Sequence, residues 1–159
     1  MIACIRNPST ANTLRYLPHA ATTRLIISHI DSAEPRTAAA AVAQLQVEGI
    51  SHIDLVIANA GICKGFPTAA EVKLEDVREH HEINVLGPLA LFQATRPLLK
   101  AAGQGMFVGI SSIGASIGGM DSVMVPSAAY GPSKIALNYI MRKAHFENED
   151  LCVFVIEPG

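Results

Sequence analysis

Short apolar runs alternate with longer stretches whose apolar positions recur at helical spacing, and this alternation is the chain's dominant pattern. The aliphatic, β-branched runs over 1–5, 25–30, 53–58, 106–110 and 152–156 predict strands. Between them, Asn7-Pro8-Ser9-Thr10 supplies a cap for a short helix through Tyr16, and Pro35 opens an alanine-rich helix to about residue 48. Helical periodicity resumes near Ala70, breaks near Asn84 and runs on to about residue 102, where Gly103 and Gly105 punctuate its end. The small-residue stretch 114–126 predicts a loop, and a last helix is predicted over 127–146.

Strands alternating with helices predict βαβ units and a parallel sheet, hence an α/β fold. Right-handed crossovers set the carboxyl ends of the strands along one edge, where open α/β sheets bind their ligands. Asp31, Asn59-Ala60-Gly61, Ser111-Ser112 and Glu157-Pro158-Gly159 each follow a predicted strand, so polar and glycine-bearing turns collect on that edge. No internal repeat or low-complexity linker divides the 159 residues, a length suited to one domain.

Composition narrows the class. Half the residues are hydrophobic and 16% are charged, which predicts inner strands covered on both faces. A net charge of -2 and the absence of a basic stripe argue against a nucleic-acid partner. No apolar run approaches the length of a membrane span, and the first residues do not read as a signal peptide, so a cytoplasmic location is expected. Cys4, Cys63 and Cys152 show no CxxC spacing and are expected as buried, reduced thiols. His80 and His81 are adjacent on a helix, point to different faces and are expected to be solvated or partly packed; no metal site is expected.

The candidate chemistry lies in Tyr130-Gly-Pro-Ser-Lys134. Residues four apart share a helical face, so a phenol and an ammonium stand together. A phenol ordinarily titrates near pH 10, and a neighbouring cation stabilises its anion, giving a usable general acid or base. Tyr16 and Tyr139 have no lysine four residues later and are expected to be packing residues.

Taken in order, Asn59-Ala60-Gly61, Asn84 in Ile-Asn-Val, Ser112, Tyr130 with Lys134, and Pro158-Gly159 resemble the motifs of the short-chain dehydrogenase/reductase family over the whole chain. Ile-Ala-Asn-Ala-Gly-Ile, Ser-Ser-Ile-Gly-Ala-Ser-Ile and Tyr-Gly-Pro-Ser-Lys-Ile-Ala-Leu-Asn look most like the sniffer-type carbonyl reductases and the fungal norsolorinic acid ketoreductase group. The resemblance implies a Rossmann-like, doubly wound parallel sheet and NADP(H)-dependent reduction of a ketone or aldehyde. It implies Tyr130 as proton donor and Lys134 as its cationic helper, also bonded to the nicotinamide ribose. Ser112, preferred to Ser111, would hold the carbonyl oxygen, and Asn84 would anchor a water that relays protons to Lys134. Arg6, Asp31, Asn59, Ala60, Gly61, Tyr130, Lys134, Pro158 and Gly159 would contact the cofactor. Asp31 either caps the following segment or meets the adenine. Arg6-Asn7 with no acid nearby favours a 2′-phosphate, hence NADP(H) over NAD(H). Ser112 lies 18 residues before Tyr130, a longer span than is common in that family, so residues 118–124 are expected to shape the substrate pocket. The resemblance makes the long helices over 84–102 and 127–146 the usual dimer interface of that family, and implies a homodimer or homotetramer if the protein is intact.

Two family elements are missing from the 159 residues: the first strand with its glycine-rich pyrophosphate turn, and the last strand with the substrate-covering helices. The implied fold is therefore an incomplete Rossmann-type domain over 1–159, a fragment or a truncated gene model. Its first and third predicted strands either pair directly or leave inner edges open. A catalytically inactive fragment serving as an interaction module is the alternative function. A nucleotide-sugar epimerase or dehydratase shares Tyr-x-x-x-Lys, but the Asn-Ala-Gly turn and the short span to Tyr130 argue against it.

Overall fold

The computed structural model describes residues 1–122 and 125–158. Five strands form where the apolar runs predict them: β1 (Ile2–Ile5), β2 (Ile26–His29), β3 (Leu55–Ala58), β4 (Met106–Ile110) and β5 (Cys152–Ile156). The helices are α1 (Ala11–Arg15), α2 (Arg36–Val47), α3 (Leu74–His81), α4 (Gly87–Ala101) and α5 (Tyr130–Phe146). A short 3-10 turn over Pro8–Thr10 precedes α1, capped by the Asn7 side chain, which accepts from the Ser9 amide.

All pairings are parallel, but the strands make two sheets. β1 pairs with β2, and separately β3 pairs with β4 and β4 with β5, so no ladder joins β1 to β3 among the described residues. Of the two arrangements expected, the open inner edges are observed. Helices hold the halves together instead. α2 packs along α4, and at the start of α4 a Cβ on Gly87 would fall 2.7 Å from the Ser32 Cβ. Glycine is required there by close approach.

The core lies on one face of the three-stranded sheet. Phe107 and Val153 of that face meet Leu137, Met141 and Ala144 of α5, a run at helical spacing, together with Phe92 and Leu99 of α4. Phe92 and Phe107 pack edge to face with ring centroids 5.3 Å apart. The opposite face departs from the expected double cover: Leu55 and Ile57 of β3 are 49% and 54% exposed, and Phe154 and Ile156 of β5 are also exposed. The same open face explains why Cys152 is exposed. Cys4 and Cys63 are exposed as well, so the cysteines are free but not buried. Tyr16 and Tyr139 are exposed rather than packed.

Helix starts also shift. α3 begins at Leu74 rather than near residue 70, because the Thr68 carbonyl accepts from both Glu71 and Val72 and closes a turn first. α5 begins at Tyr130 rather than 127, since Ala128 donates its amide to Pro67 across the fold. Between α3 and α4 the chain winds as a π-helical turn over Glu82–Leu86, which is the predicted break at Asn84.

Two glycines near the start of β4 separate steric from conformational demands. A Cβ on Gly105 would sit 2.3 Å from the Leu99 carbonyl oxygen, whereas Gly103 has open space and a φ of 80°. Gly105→Ala is expected to lower the urea-unfolding free energy by about 2 kcal/mol or more, against about 1 kcal/mol for Gly103→Ala. Equal losses for the two variants would contradict the backbone collision.

Candidate functional site

Parallel strands put their carboxyl ends on one edge of each sheet, and the predicted residues follow that rule. Arg6 leaves β1, Asp31 follows β2, Asn59-Ala60-Gly61 follows β3, Ser111-Ser112 follows β4, and Glu157-Pro158 follows β5. Arg6, Asn59, Ala60, Gly61 and Pro158 are exposed, and Gly159 lies outside the described residues. The Asp31 carboxylate accepts from the Ala33 amide, and its backbone exchanges hydrogen bonds with the Thr37 hydroxyl, so Asp31 caps the turn into α2.

Tyr130 opens α5 and Lys134 stands one turn later, with its Nζ 5.6 Å from the Tyr130 ring centroid. The ammonium is buried and donates to the Ile110 carbonyl at the end of β4, 2.8 Å away. Burial pushes the Lys134 pKa below the ordinary lysine value, partly offset by the Cys63 thiol. Cys63 is pushed up by its own desolvation and drawn down by Lys134. A Cβ on Gly61 would lie 3.1 Å from the Asn84 Oδ1 and 3.5 Å from the Lys134 Nζ. The turn after β3 therefore touches both groups because it carries no side chain at that point.

Asn84 is fully buried in the π turn. Its Nδ2 donates to the Ile62 carbonyl at 2.9 Å and to the Ser133 Oγ at 3.0 Å, while its Oδ1 accepts from the Ile62 amide at 2.8 Å. Ser133 passes the link on by donating to the Tyr130 carbonyl at 2.6 Å. Both amide hydrogens are thus engaged, and the second lone pair of Oδ1 is what remains for another partner.

The two serines after β4 differ. Ser111 is buried and donates to the Asn138 Oδ1 at 2.6 Å. Ser112 is half-buried, and its oxygen accepts from the Gly114 amide at 3.2 Å, leaving its proton for another acceptor. Gly114 in turn brings this loop against the start of α5, for its carbonyl lies 3.2 Å from where a Gly131 Cβ would stand. Ser112 therefore shares its edge with Tyr130 and Lys134.

An open cleft of about 450 Å³ runs beside Ser112, lined among others by Ser111, Asn138, Ile156 and Glu157. A second cavity of about 470 Å³ is bounded by Pro67, Gly114, Met120, Val125, Gly131 and Ile135. Met120 belongs to the segment expected to shape a pocket; residues 123 and 124 of that segment lie outside the described residues.

Sequence reasoning missed two supporting side chains. His80 is fully buried, contrary to expectation, while His81 is exposed. Its position four residues before Asn84 was the available signal, since that spacing shares a helical face. Ser133 adjoins Lys134 in sequence but carries no pattern of its own. Among the described residues no group of three or more His, Cys, Asp or Glu is placed to hold a metal ion, and no helix is long and apolar enough to cross a membrane.

Comparison with known proteins bears on the family and the fold. The family model for short chain dehydrogenase matches residues 1–159. Norsolorinic acid ketoreductase nor1 of Dothistroma septosporum is 43% identical over the whole of this chain and 61% of its own length. Norsolorinic acid ketoreductase of Aspergillus parasiticus is 40% identical, over the whole of this chain and 60% of its own length. The chain thus spans about three-fifths of these curated relatives. The crystal structure of NADPH-bound carbonyl reductase from chicken fatty liver superposes with a TM-score of 0.87 at 28% identity, covering 99% of this chain and 67% of that one. With its parallel α/β architecture and its motifs in order along one edge, the chain belongs to the short-chain dehydrogenase family.

Proposed function

We propose that this chain carries the reaction centre of an NADP(H)-dependent carbonyl reductase, converting a ketone or aldehyde to an alcohol. The observation that carries the reading is the Lys134 ammonium, buried and bonded to Ile110, beside the Tyr130 ring. The activities named for the similar proteins described above, two ketoreductases and a carbonyl reductase, support the reaction class.

The residues present suit the nicotinamide and adenine ends of such a cofactor. Gly61 leaves close access beside Lys134, and Arg6 is exposed at the end of β1 with no ion pair among the described residues. The 159 residues contain no glycine-rich pyrophosphate turn. A bound reduced nicotinamide supplies the hydride. Tyr130 donates its phenolic proton to the carbonyl oxygen, and Lys134 keeps positive charge beside the phenolate left behind. Ser112 donates its free proton to the same carbonyl oxygen and orients it. Asn84 holds the site by its amide bonds, and its route into a water relay is the second lone pair of Oδ1. The cavity bounded by Met120, Val125 and Ile135, next to the Ser112 loop, suits an uncharged, apolar substrate.

Fluorescence titration of this chain with NADPH is expected to saturate, with NADH binding more weakly. Arg6→Ala should weaken NADPH roughly tenfold and NADH little, as loss of one charge-assisted contact to a phosphate implies. Absence of saturable binding at millimolar cofactor would instead favour the interaction-module reading, to which the open face bearing Leu55, Ile57, Phe154 and Ile156 lends itself. Tyr130→Phe is expected to lower carbonyl-dependent NADPH oxidation by about 10² to 10⁴-fold with cofactor affinity retained. Loss of affinity in parallel would reassign Tyr130 to binding.

The depressed pKa of Lys134 adds a pH signature. Its ammonium loses its proton below the ordinary value of 10.5, so reduction should fall as pH rises through that lowered value. In the same window the unfolded chain binds more protons than the folded one, so this group's contribution to stability rises with pH. The alkaline loss of rate should therefore occur without unfolding, as followed by circular dichroism. In Lys134→Arg, slower but permanently charged, the alkaline limb should move to higher pH. A limb unmoved in that variant would remove Lys134 from the titration.

A further inference from the structure

His80 is the buried titratable group that this mechanism does not use, and every polar atom of its ring is committed. Its Nδ1 lies 2.6 Å from the Asp76 carbonyl, which can only accept, so Nδ1 carries the proton. Its Nε2 lies 3.1 Å from the Lys64 amide nitrogen, which can only donate, so Nε2 presents its lone pair. These partners assign one neutral tautomer. The ring edge meets the Tyr130 ring at a centroid distance of 6.4 Å and an interplanar angle of 76°.

The loop it holds is the one that Asn84 also holds. Ile62 exchanges two hydrogen bonds with Asn84, and Lys64, two residues on, is bound by His80. His80 and Asn84 hold this loop at backbone positions two residues apart. Two side chains thus take the place of a neighbouring strand. The Lys64 ammonium pairs with the Glu79 carboxylate outside this contact.

We propose that His80, as the Nδ1–H tautomer, is a positioning residue with two separable effects: its ring fixes Tyr130, and its Nε2 fixes the 62–64 loop on the cofactor side. The inference rests on the carbonyl-reductase reading. The two effects divide between two substitutions. His80→Gln keeps an acceptor for the Lys64 amide but removes the ring, and it should lose chiefly kcat, roughly ten- to a hundredfold. His80→Phe keeps a ring against Tyr130 but removes the acceptor, and it should lose chiefly NADPH affinity, about tenfold. A general packing defect would depress both parameters alike in both variants, and that result overturns the proposal, as does wild-type behaviour in either.

A second measurement is independent of turnover and of whether either variant folds. Imidazole nitrogen NMR of the unsubstituted chain should show His80 protonated on Nδ1 with an unprotonated Nε2 coupled to the Lys64 amide. An Nε2–H tautomer or an imidazolium overturns the proposal. If the unsubstituted chain neither binds NADPH nor reduces carbonyls, the reductase reading fails, and the NMR result alone then decides whether His80 holds this loop.

Discussion

A single buried carboxamide ties together the three segments that make the site. Asn84 joins the loop after β3, through both backbone groups of Ile62, to the first turn of α5, through Ser133. Such a group is expensive to bury unless satisfied, and here its hydrogens are both used. The π turn over Glu82–Leu86 adds the extra residue that directs it there. The amide network thus links the first turn of α5, which Tyr130 opens, to the loop that follows Gly61.

The same site shows how little of it depends on the sheet being continuous. β1 and β2 form their own ladder, and among the described residues no strand links them to β3. Their attachment runs through helices: α2 against α4, with Gly87 and Ser32 in close approach. The residues proposed to serve the reaction, Gly61, Asn84, Ser112, Tyr130 and Lys134, all belong to the half built on β3, β4 and β5. Arg6 and Asp31, the positions expected on the adenine side, belong to the other half. On the proposed reading, reaction chemistry and adenine-side recognition rest on separate ladders joined by helix packing.

What the sequence revealed and what it concealed follow from the range of the interactions involved. β4 and β5 appear over the predicted residues because a short, nearly unbroken apolar run is a local signal. Tyr130 and Lys134 share a face because helix geometry alone requires it. The start of α5 was displaced by an amide bonded to distant Pro67, and the start of α3 by a turn at Thr68 that competes with the helix. Burial of His80 lies deeper still. Its neighbours Glu79, His81 and Glu82 are polar, and the last two are exposed, so no window of hydrophobicity marks it. The misplaced cysteines have the opposite cause: an apolar composition implied two covered faces, while one face of the three-stranded sheet stands open with Cys152 on it.

Gly61 shows how such a constraint differs from the usual reason for glycine in a turn. It is not among the residues with positive φ, so backbone freedom is not what it provides. Its hydrogen faces the Asn84 oxygen on one side and the Lys134 ammonium on the other. A methyl group at 3.1 Å from the oxygen would require that oxygen to shift, and the amide cannot move without loosening Ile62 and Ser133 together. It would also press on a buried ammonium already held by the Ile110 carbonyl. The glycine of the Asn-Ala-Gly turn is thus fixed by what stands opposite it, and the amide and the ammonium lie close to one another because nothing stands between them.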